Sequence, residues 1–334
     1  MTFNDFQYNR PKMETYAKEF NALIDRFESA SDLENQIKAM GAIDEMRAEF
    51  DTMYNLCSIR HTVNTKDKFY EEENNYFDMN SPKYQELVTR YYKALLAAGN
   101  RVELEAKSGN LLFVMADLST KTFEPTILED LQEENRLKSE YTKVKAKAEI
   151  EYEGEKYNLS TISELHESKD RATRKGSYDA RWEFFANQAE TVEKIYHDLV
   201  AVRTRIAKKL GYGNFVELGY ARMLRSDYDA KMAANYRKQI LEHVVPVATK
   251  LRDRQRKRLG LEELLYHDEG FKFKSGNPTP KGEAQWIVDH AKTMYKELSA
   301  ETHEFFSFMN DKGLMDLVAK DGKATGGYCT FLKK

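Results

Sequence analysis

Cysteine and proline are both scarce in this chain. Only Cys57 and Cys329 occur, far apart, so a disulfide framework is excluded and two reduced thiols packing as small hydrophobes are expected. Six prolines in 334 residues leave long stretches free of the residue that most effectively breaks a helix. Long apolar runs are missing as well: stretches such as Leu111 to Met115 fall far short of the roughly 20 residues that cross a bilayer. The opening MTFNDFQYNRPK is polar and has no apolar core of a secretory signal, so a cytoplasmic location is expected. Charge of one sign is lacking too. Lys plus Arg number 52 against 55 Asp plus Glu, a net charge of -3, and nothing overall attracts nucleic acid or an anionic membrane.

What is present is a globular composition, 41% apolar and 32% charged, large enough for two helical regions. We place these at residues 1–169 and 170–334, and the expected fold class is mainly α. A first helix follows Pro11, with Tyr16, Phe20, Leu23, Ile24 and Phe27 on one face. Ser31 and Glu34 form a capping box for a second, whose apolar period runs to about His61. Ser81-Pro82 is expected to start a third helix that ends at Gly99, and Pro125 another that runs to about Lys145.

One β-hairpin is expected over 148–160, with its turn at Glu153-Gly154. Thr161 and Glu164 then restart helix. A long helix from about Trp182 to Leu210, stopped by Gly211, carries Trp182, Tyr196, Val202 and Ile206 on an apolar stripe that suits burial in a bundle, a coiled-coil seam being the alternative. Asp229 caps the next, with Met232, Tyr236, Ile240, Val244, Val247 and Leu251 inward, a kink at Pro246 and a stop at Gly260. The basic run Lys250 to Arg258 is read as the C-terminal end of that helix rather than as a nucleic-acid surface. Tyr266 to Lys274 is a strand or loop, and Thr279-Pro280 opens a helix to about Leu298. The closing KATGGYCTFL, Lys323 to Leu332, has the composition of a strand.

No complete catalytic site can be assembled from these residues. None of the seven histidines is followed four residues later by another, the spacing that puts two zinc ligands on one helix face. His303-Glu304 begins like HExxH but has Ser307 in the last place, and reads as a surface pair. A GxGxxG after a strand, a P-loop, GxSxG and CxxC are all absent.

From Asp170 to Met223, then from Arg258 to Glu269 and again at KATGGYCTFL, the chain resembles the zinc oligopeptidases of the thimet oligopeptidase family, in the oligoendopeptidase F and Pz-peptidase branch. Residues up to about Lys169 look like the helical N-terminal region of that branch. The resemblance implies a helical bowl admitting short peptides, and a zinc endopeptidase that cleaves their internal bonds. In that family the HExxH lies downstream of the GGYCT-like segment. The resemblance therefore implies that this chain is an N-terminal portion ending before the zinc-binding helices, zinc-free and inactive by itself, with the C-terminal catalytic part as a partner. No zinc ligand or catalytic acid is carried over. Gly326, Gly327 and Tyr328 are, as the strand beside the substrate cleft; the other reading of the glycines is a turn into an ordinary strand. The alternative for the whole chain is a non-catalytic helical peptide- or protein-binding module.

Overall fold

The computed structural model describes residues 2–333. Its N-terminal half begins with three long helices, α1 (Met13–Ser29), α2 (Leu33–Val63) and α3 (Lys68–Leu96), followed by the short α4 (Arg101–Ser108) and α5 (Asn110–Thr120). The apolar face read for α1 is the buried one: Tyr16, Phe20, Ile24 and Phe27 meet Ile43 and Phe50 of α2, Phe77 and Tyr91 of α3, and Phe113 of α5. Burying a large apolar side chain stabilises by about 1.5–3 kcal/mol, so this cluster is the main source of stability for the half.

Two starts differ from the sequence reading. The cap of α2 is Asp32, which accepts from the Asn35 N–H at 2.9 Å, and not Ser31. Asp32 offers a carboxylate to the positive end of the helix dipole, a better cap than a hydroxyl one residue earlier. No helix starts at Ser81-Pro82: α3 begins at Lys68, capped by Asp67, and runs through Pro82. A proline inside a helix leaves the carbonyl four residues earlier without a donor. Here that carbonyl, Asp78 O, accepts from Asn135 Nδ2 at 3.1 Å.

Asn135 lies on α6 (Leu128–Ala146), which follows a short 3-10 turn beginning at Pro125. The hairpin has the expected place and turn: β1 (Ile150–Tyr152) pairs antiparallel with β2 (Glu155–Tyr157), and Glu153 and Gly154 both take positive φ. Thr161 begins a 3-10 turn rather than an α-helix, its start capped by Asn158 Oδ1, which accepts from the Ser160 and Thr161 N–H groups at 2.9 Å.

The long helix expected over Trp182–Leu210 is two, α7 (Arg171–Asn187) and α8 (Ala189–Lys209). Only the C-terminal half of its stripe is covered: Val202 and Ile206 pack against Leu131 and Leu137 of α6 and Leu218 of α9 (Phe215–Arg222), whereas Trp182 and Tyr196 are exposed. The same correction applies further on. Asp229 caps α10 (Ala230–Gln239) as read, and a π-helical turn at Ile240–Val244 leads to Pro246 in α11 (Val245–Leu259), which ends at Gly260 in the left-handed conformation. Met232, Tyr236, Val244, Val247 and Leu251, expected inward, are exposed. An apolar stripe marks a face that gains by burial; it does not supply the surface that buries it.

A loop after α11 returns to α7 and is fixed there by charge. Asp268, whose side chain is 0% exposed, accepts from Arg171 Nη2 at 2.7 Å and from Arg174 Nη2 at 2.8 Å. Gln255 of α11 donates to the carbonyls of Asp268, Glu269 and Phe271, closing the loop against its own helix. The last helices, α12 (Ala284–Leu298) and α13 (Ala300–Asp311), pack on each other with no fully buried residue in either; α12 starts four residues after the expected Pro280. The terminal strand expected over 323–332 does not form. Among the described residues the hairpin is the only sheet, so that segment has no strand to pair with and stays extended and irregular.

Candidate functional site

The extended C-terminal segment lies along one face of α2. Ala324 N donates to Thr62 O at 2.8 Å, the Tyr328 hydroxyl meets Thr62 Oγ1 at 2.6 Å, and Asn55 Nδ2 donates to Phe331 O at 2.9 Å. Lys333 N donates to Thr52 Oγ1 at 3.0 Å while its ammonium pairs with Glu45. Glu45, Thr52, Asn55 and Thr62 are spaced by seven, three and seven residues, which places them within about 100° of one another around the helix. One stripe of polar side chains thus follows some ten residues of backbone. Thr52 is suited to this because its hydroxyl donates to Ala48 O at 2.7 Å and keeps a lone pair for Lys333.

Gly326 and Gly327, singled out in the sequence, differ from each other in the structure. Gly326 has φ +91°, a conformation that side-chain-bearing residues rarely adopt, and Gly327 does not. A Cβ at either would meet open space, so neither glycine is there to let another part of this chain approach. Tyr328 is 59% exposed and held by its hydroxyl alone. From Thr325 to Leu332 the Phe331 carbonyl is the one backbone group with a hydrogen-bond partner among the described residues.

Four polar side chains on α2, α3 and α6 that the sequence reading did not identify are affected by burial. Tyr54 is 43% exposed and Asp51 and Lys138 are exposed, yet each is desolvated by surrounding protein. Burial raises the pKa of Tyr54, Asp51 and the half-buried Asp78, and it lowers that of Lys138. Opposite shifts from one cause are what desolvation produces for acids and bases. Asp78 is further held by the Ser139 hydroxyl at 2.6 Å. No motif marks these residues; in sequence they are polar positions on amphipathic helices, indistinguishable from a solvated outer face.

The histidines do not converge. His61 is buried in α2, His166 stacks on Tyr178 at 3.7 Å, His267 packs beside Asp268, and His290 stacks on Trp286 at 3.6 Å. His303 on α13 meets the Ser307 hydroxyl at 3.4 Å, the local pairing expected of a surface turn. Among the described residues no three His, Cys, Asp or Glu side chains come together as a metal would require. These residues do not fit a zinc site. Nor is any helix of the described residues long and apolar enough to cross a membrane.

Comparison with known proteins agrees with this architecture. Residues 3–123 match the Peptidase M3 N-terminal domain. A protein assigned as oligoendopeptidase F from Bacillus anthracis str. Ames is 51% identical over 99% of this chain, with a TM-score of 0.97. Pz peptidase A, solved with an inhibitor, is 50% identical over 99% of the chain at TM-score 0.97. Another protein assigned as oligoendopeptidase F, from crystals grown by microfluidic seeding, is 49% identical over 99% of the chain at TM-score 0.98. No curated protein sequence matches. The chain spans 61% of the first of these relatives and 59% of the other two. With half of its residues shared across essentially its whole length, the chain belongs to the oligoendopeptidase F and Pz-peptidase branch of the M3 peptidases.

Proposed function

We propose that this chain is the substrate-holding N-terminal portion of a cytoplasmic zinc oligoendopeptidase that hydrolyses internal bonds of short peptides. The zinc is held by residues other than those of this chain, and the chain by itself is inactive. Its own part is to bind and orient a peptide.

The observation that carries this reading is the extended segment on α2, whose backbone donors and acceptors from Thr325 to Leu332 have no partner among the described residues apart from the Phe331 carbonyl. Such an edge can take a peptide as an added strand, using main-chain hydrogen bonds that any sequence can make. Gly326, Gly327 and Tyr328 then lie at the cleft, where two positions without side chains leave the incoming backbone unobstructed.

A second line of support is the exposed apolar surface. Leu298, Phe305 and Phe308 on α12 and α13, and the stripe on α10 and α11, face solvent, and about two-fifths of each relative's length lies outside the part this chain matches. Surfaces of this kind mark docking sites. They favour this reading over a closed helical binding module, the alternative, which needs no such surface.

The test uses the purified chain, a quenched fluorescent oligopeptide and metal analysis. Neither stoichiometric zinc nor cleavage is expected from the chain alone. Co-expression with a polypeptide covering the remaining two-fifths of the Bacillus anthracis relative should restore zinc-dependent cleavage. Robust cleavage by the chain alone would overturn the proposal.

A further inference from the structure

One buried carboxylate of α6 holds two arginines. Glu134 of α6, with 3% of its side chain exposed, accepts from Arg203 Nε of α8 at 2.8 Å and from Arg222 Nη2 at the end of α9 at 2.8 Å. Lys138 stands one helical turn further along α6 and makes no ion pair among the described residues. Burial lowers its pKa, and the charges of Arg222 and Arg203 add to that against the attraction of Glu134 and Asp78. Burial alone would raise Glu134, but the surrounding cations outweigh it and keep it ionised.

Donors are left over in this cluster. Arg222 Nη1 is buried with no acceptor among the described residues, and a buried guanidinium donor without a partner is costly. Arg203 uses only Nε on Glu134. Both guanidinium groups are held in place by the ring of Phe215, whose centroid lies 5.6 Å from Arg203 and 5.8 Å from Arg222. The next carboxylate, Asp78, is engaged by Ser139 and Asn74. Arg203 and Arg222, fixed on Glu134, and the nearby Lys138 outnumber the carboxylates Glu134 and Asp78 around them, and Arg203 keeps donors free on a side chain that is 35% exposed, an arrangement suited to a further anion. Guanidinium groups present planar, paired donors that match a carboxylate.

We propose that Lys138, Arg203 and Arg222 form an anion subsite that takes the C-terminal carboxylate of a bound peptide. The identity of the occupant rests on the peptide-binding reading above; the existence of the subsite does not. A site that anchors a chain end as well as the backbone favours short peptides, since a long or folded chain seldom brings its C-terminus to such a place. It also requires no particular side chain of the peptide.

The subsite is tested by titrating the purified 334-residue chain with N-acetyl-tetra-alanine and, separately, with its C-terminal amide, by calorimetry at low salt. The free acid should bind at least about tenfold more tightly, the scale of one charge-assisted contact. Lys138→Met should remove that difference while leaving affinity for the amide unchanged. Equal affinity for acid and amide in the wild-type chain would overturn the subsite while leaving peptide binding intact. A second arm titrates acetate against the chain carrying ¹³C-dimethylated lysines, with the Lys138 resonance assigned by its loss in Lys138→Gln. A saturable shift of that resonance supports the subsite; no shift overturns it, whether or not the peptides bind. An acetate shift without any peptide binding overturns the peptide C-terminus as occupant and with it the reading on which that assignment rests.

Discussion

Asn135 of α6 donates its side-chain amide to the carbonyl of Asp78, the helical acceptor that Pro82 leaves without a donor in α3. The same Nδ2 also reaches Ser81 Oγ at 3.2 Å, and Gln132, one turn earlier, donates to Met79 O at 2.7 Å. The break that a proline makes in one helix is thus used to join it to another. Asn135→Ala should cost about 1–3 kcal/mol, the penalty of an unsatisfied part-buried acceptor. In the Pro82→Ala background a backbone N–H returns to Asp78 O, and the same substitution should cost less. A double-mutant cycle from urea unfolding measures the difference; equal costs in both backgrounds would show that the amide does not compensate for the proline.

That pair also shows what the sequence could and could not disclose. Periodicity located α1, α2, α6 and the hairpin, because each is decided by residues within a few positions of one another. Pro82 read as a helix start because the residue that rescues its helix lies 53 positions away, and no local pattern announces it. The stripe that points Tyr236 and Leu251 inward stays exposed, because periodicity marks an apolar face without showing what packs on it. Of the candidate site, Gly326, Gly327 and Tyr328 stood out through their resemblance to a known segment. Lys138 and Glu134 did not, since the arginines around them are brought there only when helices distant in sequence are packed side by side.

The ionic lock of the loop after α11 sets an acid limit. Burial opposes ionisation of Asp268, but hydrogen bonds from Arg171, Arg174 and the Leu265 N–H outweigh it and hold the carboxyl at about 2, below its ordinary 3.8. A depressed carboxyl stabilises the fold above its unfolded value and loses that contribution as pH falls between about 4 and 2. Asp268→Asn removes the charge at every pH and leaves Arg174, 2% exposed, buried without its counter-ion. The expected cost is about 3–5 kcal/mol. Urea midpoints should fall accordingly, and limited proteolysis should cut first between residues 261 and 277.

Three buried histidines act in a different pH range. Burial is the first cause that lowers the pKa of His61, His166 and His267 below 6.5. Each keeps one buried ring nitrogen without a partner among the described residues, and burial outweighs the nearby groups that favour the charged form, such as Asp268 beside His267. The unfolded chain takes up protons near pH 6.5 and the folded chain does not, so stability falls as pH drops below that value. The slope is at most about 1.4 kcal/mol per histidine per pH unit. Urea midpoints measured from pH 7.5 to 5.5 should decline, and His166→Phe, which can keep the stack on Tyr178, should flatten part of the decline. A midpoint independent of pH over that range would contradict it.

The two glycines of the C-terminal segment should respond differently to the same substitution. Space does not distinguish them, because a Cβ at either position meets nothing within 4 Å. Backbone conformation does: Gly326 at φ +91° would force alanine into a region costing about 1–3 kcal/mol, while Gly327 imposes no such requirement. The segment is held by a few hydrogen bonds to α2, so that cost is enough to release it without unfolding the helices behind it. Gly326→Ala should therefore speed amide exchange at Ala324 and Lys333, whose N–H groups bond Thr62 and Thr52, and leave the global urea midpoint unchanged. Gly327→Ala should leave exchange as it is in the wild type, and should weaken binding of an extended peptide only if the peptide backbone passes over that position. Equal exchange in the two variants would mean that the positive φ at Gly326 does not hold the segment in place.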